Sequence, residues 1–250
     1  MSKSGGYGTN SNINDIKFKT FRHIAELLYP PMPTLNIISL SERNLIKTRV
    51  FQGRTILNIG SGGLSGCGKW LWKDNNLNEK DIINFDIQIG SIVNVCGDAH
   101  ALPLKDNSVD SIVLQAVLEH VVDPKKIIKE ALRVLVPGGV IYIEVPFLQG
   151  FHADPHDYQR FTLKGLEILT ANTNKITSGV SVGPFCTFVW MLRDGFSSCF
   201  KNKFLYLSSR FILAWLLSPI RYLDYISRKT KSAERLANEY YILVEKLINE

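Results

Sequence analysis

The chain has 250 residues, which is long enough for one domain with a full hydrophobic core. Its composition is ordinary for a globular protein, with 45% hydrophobic and 21% charged residues and a mild net charge of +6. Nucleic-acid-binding proteins usually gather basic residues in a stripe with aromatic residues, and the first 180 residues contain no such stripe. We therefore expect no nucleic acid among its partners.

The N-terminal segment 1–13 is polar and rich in Gly, Ser and Asn, and it lacks the apolar stretch of a signal peptide. This composition predicts a disordered lead-in. The four cysteines are scattered along the chain without a CxxC pair. Such spacing is typical of a reduced protein, so we expect a cytoplasmic location.

Residues 14–53 are predicted to cover the main domain, with a helix in FKTFRHIAELL followed by the proline-rich YPPMP. From residue 55 onward, strand-like apolar runs alternate with helical patterns: TILNIG, DIINFDI, SIVNV, VDSIVLQ and GVIYIEVPF. This alternation predicts an α/β fold with a mainly parallel sheet and helices on both faces.

The segment PKKIIKEALRVLVPGG predicts a crossover helix that stops at Pro137, Gly138 and Gly139 before the next strand. The apolar residues expected to share one face of this helix are Ile127, Ile128, Ala131, Leu132 and Leu135.

The stretch ILNIGSGGLSGCG is an apolar run that breaks into glycines. Gly60 and Gly62 follow the first predicted strand, where a doubly wound sheet holds a nucleotide-like ligand against backbone amides. A tight turn that needs positive φ would also select these glycines, and that alternative stays open. A dinucleotide site would place its third glycine at Ser65, so the sequence disfavours NAD.

Acidic residues follow the next two predicted strands. Asp86 ends the second strand in NFDIQ, where a carboxylate can accept hydrogen bonds from ribose hydroxyls. Asp98 lies in CGDAHALP after the third strand, where it can accept from an adenine amine. Together with the glycine turn, they predict an adenosine-containing ligand.

The stretch GDAHALPLKDNSVDSIVLQAVLEHVVDPKKIIKEALRVLVPGGVIYIEVPF resembles the class I S-adenosylmethionine-dependent methyltransferases, over roughly residues 54–172. The resemblance implies a Rossmann-like sheet of seven strands, mostly parallel with the last strand antiparallel. It also implies S-adenosylmethionine as the only required cofactor, with no metal. The implied cofactor contacts are Asn58, Gly60, Ser61 and Gly62 at the methionine part, Asp86 at the ribose, Ile87 on the adenine, Asp98 and Ala99 at the adenine edge, and Gln115 near the sulfonium.

Asn58 stands where the family usually has an acidic residue, two positions before the first glycine. Its carbonyl can still accept a hydrogen bond from the cofactor's ammonium group, without charge assistance. Asn58 is also the feature that supports a catalytically silent scaffold of the same fold as an alternative function.

The segment GFHADPHDYQRFT, named here the histidine loop (residues 150–162), follows the fifth predicted strand and concentrates titratable groups. Methyl transfer to a hydroxyl requires a base, and histidine accepts protons near neutral pH. We expect His156 to act as this base, oriented by Asp157 or Asp154. The expected catalytic residues are therefore His156, with His152 as second choice, and Asp157, and the expected substrate-binding residues are Tyr158 and Arg160.

Two alternatives for the histidine loop stay open. Pro155, Tyr158, Arg160 and Phe161 would build a rigid lid that the histidines merely cap. The other alternative is a metal site made of His152, Asp154 and His156, which methyl transfer does not need. His120, in LEHV, is expected to be structural.

The C-terminal third contains the apolar stretch FLYLSSRFILAWLLSPIRYLDYI, in which only ten residues separate Arg210 from Arg221. Ten helical residues cover about 15 Å, half of a hydrocarbon core of about 30 Å, so this stretch does not span a bilayer. Its basic and aromatic flanks fit an interfacial helix at the cytoplasmic membrane face. An apolar cover over the substrate cleft, or a dimer face, fits equally well.

The histidine loop and this apolar extension look similar to methyltransferases of bacterial surface-polysaccharide biosynthesis. That resemblance implies O-methylation of a sugar or glycolipid acceptor. A methyltransferase acting on a lipid or quinone-like small molecule is the alternative. The predicted organisation is one domain, with a cover at 14–53, a cofactor-binding core at 54–184, an apolar helical insertion at 185–238, and a final strand and tail at 239–250.

Overall fold

The computed structural model describes residues 34–53, 55–62, 69–73, 79–152, 156–228 and 230–248. Outside these ranges lie the predicted lead-in, the predicted helix in FKTFRHIAELL, the last part of the glycine-rich stretch, and Asp154.

A sheet of seven strands in the order β3-β2-β1-β4-β5-β7-β6 forms the centre of the molecule. Strands β1 to β5 are parallel, and β7 is antiparallel to both of its neighbours. The predicted α/β fold, with a mostly parallel sheet and an antiparallel last strand, is confirmed. The strands are β1 (Ile56–Ile59), β2 (Ile82–Asp86), β3 (Val95–Cys96), β4 (Val109–Gln115), β5 (Leu135–Pro146), β6 (Thr173–Val182) and β7 (Glu239–Lys246).

Helices cover both faces of this sheet, as the alternating pattern predicted. Ile127 and Ile128 of α3 pack with Ile141 and Ile143 on one face, and Ile46 of α1 packs on the opposite face. The helices are α1 (Leu40–Val50), α2 (Lys69–Trp72), α3 (Pro124–Val134), α4 (Leu163–Leu169), α5 (Pro184–Ser197), α6 (Lys203–Leu217) and α7 (Asp224–Ser227), with 3-10 turns at Glu79–Asp81, Leu118–His120, Ser218–Leu223 and Lys231–Leu236.

The crossover helix α3 begins where the sequence indicates but ends before the predicted stop, and Pro137, Gly138 and Gly139 lie within β5 instead of between the helix and the strand. Asp123 caps its first turn by accepting a hydrogen bond from the Lys126 N–H, and Pro124 opens it. The helix ends at Val134, and Leu135 is the first residue of β5. Leu135 is therefore buried as part of a strand and not, as expected, on the apolar face of the helix.

An apolar helical layer (residues 184–228) contains α5, α6 and α7 and precedes β7 in the chain. Asp224 is fully buried, and its carboxylate accepts hydrogen bonds from the Phe185 and Cys186 N–H groups, each at 2.9 Å. A buried carboxylate thus satisfies the first turn of α5 and joins α5 to α7. In the described ranges, no helix is both long and apolar enough to cross a bilayer.

Because β1 to β5 are parallel, their carboxyl ends meet at one edge of the sheet. Gly60 follows β1, Asp86 ends β2, and Gln115 ends β4. The histidine loop follows β5 at the same edge. The fold therefore gathers residues that are far apart in sequence into one region.

Candidate functional site

A cavity of about 840 Å³ opens at the carboxyl edge of the sheet. All nine residues that the sequence predicts as cofactor contacts line this cavity, and so do His152, His156 and Tyr158. Asp157 and Arg160 are not among the lining residues that the structure describes. The cavity is also lined by four residues that no sequence motif indicated: Trp72, Glu144, Trp190 and Glu239.

Gly60 forms a turn that no other residue would fit. Its φ is +75°, and a Cβ at this position would lie 2.3 Å from the Val117 Cγ2 atom. The Gly60 N–H donates to the Phe85 carbonyl oxygen at 2.8 Å, which ties the turn to β2. The tight-turn explanation therefore holds for Gly60, and the same turn places the following backbone at the cavity.

Gly62 and Asp86 form a second backbone contact at the cavity. The Gly62 N–H donates to Asp86 Oδ2 at 2.7 Å, and the Gln88 N–H donates to Asp86 Oδ1 at 2.8 Å. Each carboxylate oxygen has a further lone pair, so both can still accept from a ligand hydroxyl. Asp86 is therefore held in place for the ribose contact that the sequence predicts.

Ser61 lies between the two glycines and supplies an unsatisfied polar group. It is buried and lines the cavity, and its Oγ has no hydrogen-bond partner among the described residues. Buried polar atoms are normally paired, so this hydroxyl fits a contact with a bound ligand. Asn58, which also lines the cavity, donates through Nδ2 to Asn84 Oδ1 at 2.9 Å, and this hydrogen bond orients its amide.

Asp98 presents an anionic group to the cavity. The His100 N–H donates to Asp98 Oδ1 at 2.9 Å, and His100 Nδ1 lies 2.6 Å from the same oxygen. These hydrogen bonds hold the pKa of Asp98 below its usual range. A permanent acceptor at this position suits an exocyclic amine, as the sequence predicts.

Gln115 is held on both sides of its amide. Its Oε1 accepts from Trp72 Nε1 at 3.2 Å, and its Nε2 donates to Glu144 Oε2 at 2.9 Å. Glu144 is buried, and burial raises its pKa. Glu239 also lines the cavity, and burial together with repulsion from Glu144 raises its pKa well above the usual range.

These features fit S-adenosylmethionine. A turn without side chains, an unpaired buried Ser61 hydroxyl, and an Asp86 carboxylate fixed by two backbone amides together form a cradle for an adenosine-containing ligand. Asn58 and Ser61 would hold its methionine part, Asp86 its ribose, and Asp98 its adenine.

Arg160 is committed to the histidine loop itself. Its guanidinium donates to both carboxylate oxygens of Asp157, and also to the carbonyl oxygens of Gln149, Gly150 and Gln159. The pair with Arg160 lowers the pKa of Asp157 to about 2. Contrary to the expectation of a substrate-binding arginine and a catalytic aspartate, these contacts are those of the rigid-lid alternative.

The histidines of this loop differ in their surroundings. His156 is exposed to the cavity, and its ring lies 5.5 Å from the Tyr158 ring. Asp157 contacts His152 instead: its Oδ2 accepts from the His152 N–H at 2.8 Å and lies 3.8 Å from His152 Nδ1. The expected orienting contact from Asp157 to His156 is therefore directed to His152.

The comparisons with known proteins agree with this geometry. A family model described as "Methyltransferase domain" matches residues 70–143. The chain is 32% identical over 101 residues to a demethylmenaquinone methyltransferase of Renibacterium salmoninarum. The aligned region covers 36% of this chain and 40% of the relative. The chain is also 28% identical over 182 residues to a demethylmenaquinone methyltransferase of Oceanobacillus iheyensis. This aligned region covers 64% of this chain and 76% of the relative.

Shorter and more distant similarities also exist. A norajmaline N-methyltransferase of Rauvolfia serpentina is 36% identical over 77 residues, or 31% of this chain and 23% of the relative. Among solved structures, the [4+2]-cyclase SpnF is 18% identical, with a TM-score of 0.49 and coverage of 83% of this chain and 80% of that chain. The chain spans 22–40% of the length of the first curated relatives that it matches. The family match covers the part of the sheet from α2 to β5.

Proposed function

We propose that this protein is an S-adenosylmethionine-dependent methyltransferase that methylates an oxygen atom of a sugar or glycolipid acceptor. One observation carries the methyltransferase part of the proposal. All nine residues expected to contact the cofactor line one cavity, and the histidine loop lines the same cavity. The family match over residues 70–143 supports the same activity.

The cofactor, when bound, would supply a methyl group activated by a positively charged sulfur. The protein has to align one atom of the acceptor with that methyl group and to keep other acceptor atoms away from it. Gln115, Glu144 and Trp190 line the cavity. For a hydroxyl acceptor, His156 is the proposed base because its side chain lines the cavity on the side of the histidine loop.

The charge of the cavity supports an uncharged acceptor rich in hydroxyl groups. Its described lining residues include the carboxylates Asp86 and Asp98 and the carboxyl groups of Glu144 and Glu239, whose raised pKa favours their neutral form, but no lysine or arginine. Both forms of a carboxyl group can hydrogen-bond to hydroxyls, and no lysine or arginine among these residues would pair with a phosphate or a carboxylate of the acceptor. Since Arg160 is committed to its own loop, its expected contact with the acceptor has no support among the described residues.

A quinone-like small molecule is the second candidate acceptor. The relatives from Renibacterium and Oceanobacillus are both demethylmenaquinone methyltransferases. The apolar helical layer would suit a lipid tail as well as it suits a lipid-linked glycan. The two candidates differ in the atom and the chemical group that receive the methyl group.

A transfer assay separates these candidates. The purified full chain is incubated with S-adenosylmethionine labelled in its methyl group, together with bacterial glycolipid fractions or demethylmenaquinone. We expect label in the glycolipid fraction, and hydrolysis of that fraction should release the label on a sugar as its methyl ether. The Asp86→Ala variant should transfer no label. Label in the quinone fraction alone would replace the first candidate by the second. Cofactor binding without transfer to either fraction would indicate the silent scaffold.

We also propose that the apolar helical layer attaches the protein to an anionic bilayer surface. Several of its large apolar side chains are exposed, including Phe204, Ile212 and Leu216. Between residues 195 and 223 the chain has four basic residues and no acidic residue. Exposed apolar side chains flanked by basic residues are typical of interfacial helices.

A further inference from the structure

Three side chains converge where the histidine loop meets the 3-10 turn at Leu118–His120. The Glu119 Oε1 atom lies 3.7 Å from His120 Nε2 and 3.8 Å from His152 Nε2. One ligand atom from each residue lies within 4.8 Å of the other two. The two imidazole rings meet edge to face, with centroids 5.1 Å apart. Residues from two distant segments of the chain thus point their polar atoms at one small volume.

Glu119 is the least satisfied member of this cluster. Its residue is fully buried, and within the described part of the chain neither carboxylate oxygen accepts a hydrogen bond. Burying a carboxylate without compensation is costly, and proteins normally pair such a charge or use it to coordinate a metal. The distances of 3.7 and 3.8 Å are too long for hydrogen bonds from the histidines. A cation close by would compensate the buried Glu119 carboxylate.

The histidines are arranged to offer lone pairs to that cation. His120 Nδ1 contacts the His156 carbonyl oxygen, and His152 Nδ1 lies 3.1 Å from the Gly150 carbonyl oxygen. A carbonyl accepts only, so each Nδ1 carries the proton, and in the neutral ring each Nε2 has a free lone pair. Metal-binding histidines commonly donate their other ring N–H to a backbone carbonyl in this way.

We propose that Glu119, His120 and His152 form a binding site for one divalent transition-metal ion. Two imidazoles and one carboxylate are a ligand set of zinc and non-haem iron sites. Tetrahedral zinc with bonds of about 2.0 to 2.1 Å would separate its ligand atoms by about 3.4 Å. The two distances from Glu119 Oε1 to the histidines need to close by only a few tenths of an ångström, and all three ligand atoms lie within 4.8 Å of one another.

The proposed site is open on one side. His120 and His152 line the cavity, whereas Glu119 lies behind them. A fourth ligand position would therefore face the cavity, where water or an oxygen of a bound molecule fits. The site differs from the metal set suggested by the sequence, because only His152 is common to both.

Metal binding would also join the histidine loop to the 3-10 turn at Leu118–His120, because the ligands come from both segments. This effect on stability can be measured without any enzymatic assay. Metal binding by the full chain, and its effect on stability, can therefore be tested whether or not the protein transfers methyl groups.

The test uses the full chain, freed of its affinity tag and treated with a chelator, and titrates it with ZnCl2, MnCl2 or MgCl2 in a calorimeter. We expect zinc to bind with one ion per chain and to raise the melting temperature. Glu119→Gln and His152→Asn should each weaken zinc binding at least tenfold, with circular dichroism used to confirm that both variants fold. His156→Asn and Asp154→Asn are matched controls and should bind zinc like the wild type.

Two outcomes would overturn the proposal. One is a wild-type chain that binds none of these ions at micromolar concentration. The other is zinc binding that survives Glu119→Gln but is lost in His156→Asn, which would favour the set suggested by the sequence instead.

Discussion

Gly62 and Asp86 lie so close together that a side chain at position 62 would displace the carboxylate. A Cβ on Gly62 would sit 2.8 Å from Asp86 Oδ2, the same oxygen that accepts the Gly62 N–H at 2.7 Å. The absence of a side chain therefore serves the position of Asp86 as well as the shape of the turn. This relationship connects two sequence signals, the glycine turn and the acid at the end of β2, in one contact.

Gly62→Ala should consequently weaken cofactor binding without unfolding the protein. The added methyl group would move the Asp86 carboxylate away from its ligand, and loss of a hydrogen bond to a charged group costs about 1.5 to 3 kcal/mol. We expect the dissociation constant of S-adenosylhomocysteine to rise by about tenfold or more. Gly195→Ala is the matched control, since a Cβ there would meet no atom of the described residues within 4 Å outside its own helix, and Gly195 does not line the cavity. An equal effect of both variants would contradict this explanation.

Much of the fold and of this part of the site was accessible from the sequence. The strands β1, β4, β5 and β7 are marked by apolar runs because most of their residues are buried. The run that marks β2 is only partly buried, with Phe85 its one buried residue. The cofactor contacts follow those strands directly, so locating a strand end also locates its ligand-facing residue. Strand β6 gave no such signal, because TNKITSGVSV is largely polar and pairs with only one neighbour at the sheet edge.

The rest of the site depends on contacts that local sequence does not record. Glu144 lies within an apolar run, and only pairing of β4 with β5 places it opposite Gln115. An arginine in this loop suggests a contact with the acceptor molecule. The N–H groups of Arg160 instead donate to the nearby Asp157 and to three carbonyl oxygens. Whether an arginine faces a substrate or its own loop is decided by tertiary structure.

Replacement of His156 tests the proposed base. His156→Ala should lower turnover by about 10² to 10⁴, the usual contribution of general-base catalysis, with nearly unchanged affinity for S-adenosylhomocysteine. The measurement is a steady-state assay with the acceptor identified by labelling, together with calorimetry. Retention of most activity in His156→Asn would support the rigid lid and remove His156 as the base.

The exposed face of α6 should govern membrane binding. Ile212→Ser with Leu216→Ser should reduce sedimentation with anionic liposomes, because both side chains are more than 60% exposed on adjacent turns. Wild-type binding should weaken with salt, since basic residues contribute part of the attraction. Ile168→Ser, an exposed residue on α4, is the control. Unchanged liposome binding in the double variant would favour an apolar cover or a dimer face.

Glu130 should make stability depend on pH in the acid range. Its carboxylate accepts from Arg133 Nε at 3.0 Å, from Arg133 Nη2 at 2.8 Å and from the Leu102 N–H at 2.9 Å, and these contacts lower its pKa. The stabilisation is complete above the ordinary value of 4.5 and is lost as the pH falls through the lower folded value.

Glu130→Gln should therefore lower the free energy of unfolding at pH 7 by about 1 to 2 kcal/mol. The difference from wild type should shrink as the pH falls below 4.5, the ordinary pKa of a glutamate. Urea unfolding at a series of pH values measures this difference. A gap that stays constant from pH 7 to pH 3 would show that the charge of Glu130 contributes nothing.

Calorimetry with S-adenosylmethionine, S-adenosylhomocysteine and NADH tests the central claim most directly. We predict one site per chain for both sulfur compounds, no binding of NADH, and a tenfold or greater loss of affinity in Asp86→Ala. Binding of NADH, with no binding of either sulfur compound, would contradict the assignment of the cavity and the proposed methyl transfer.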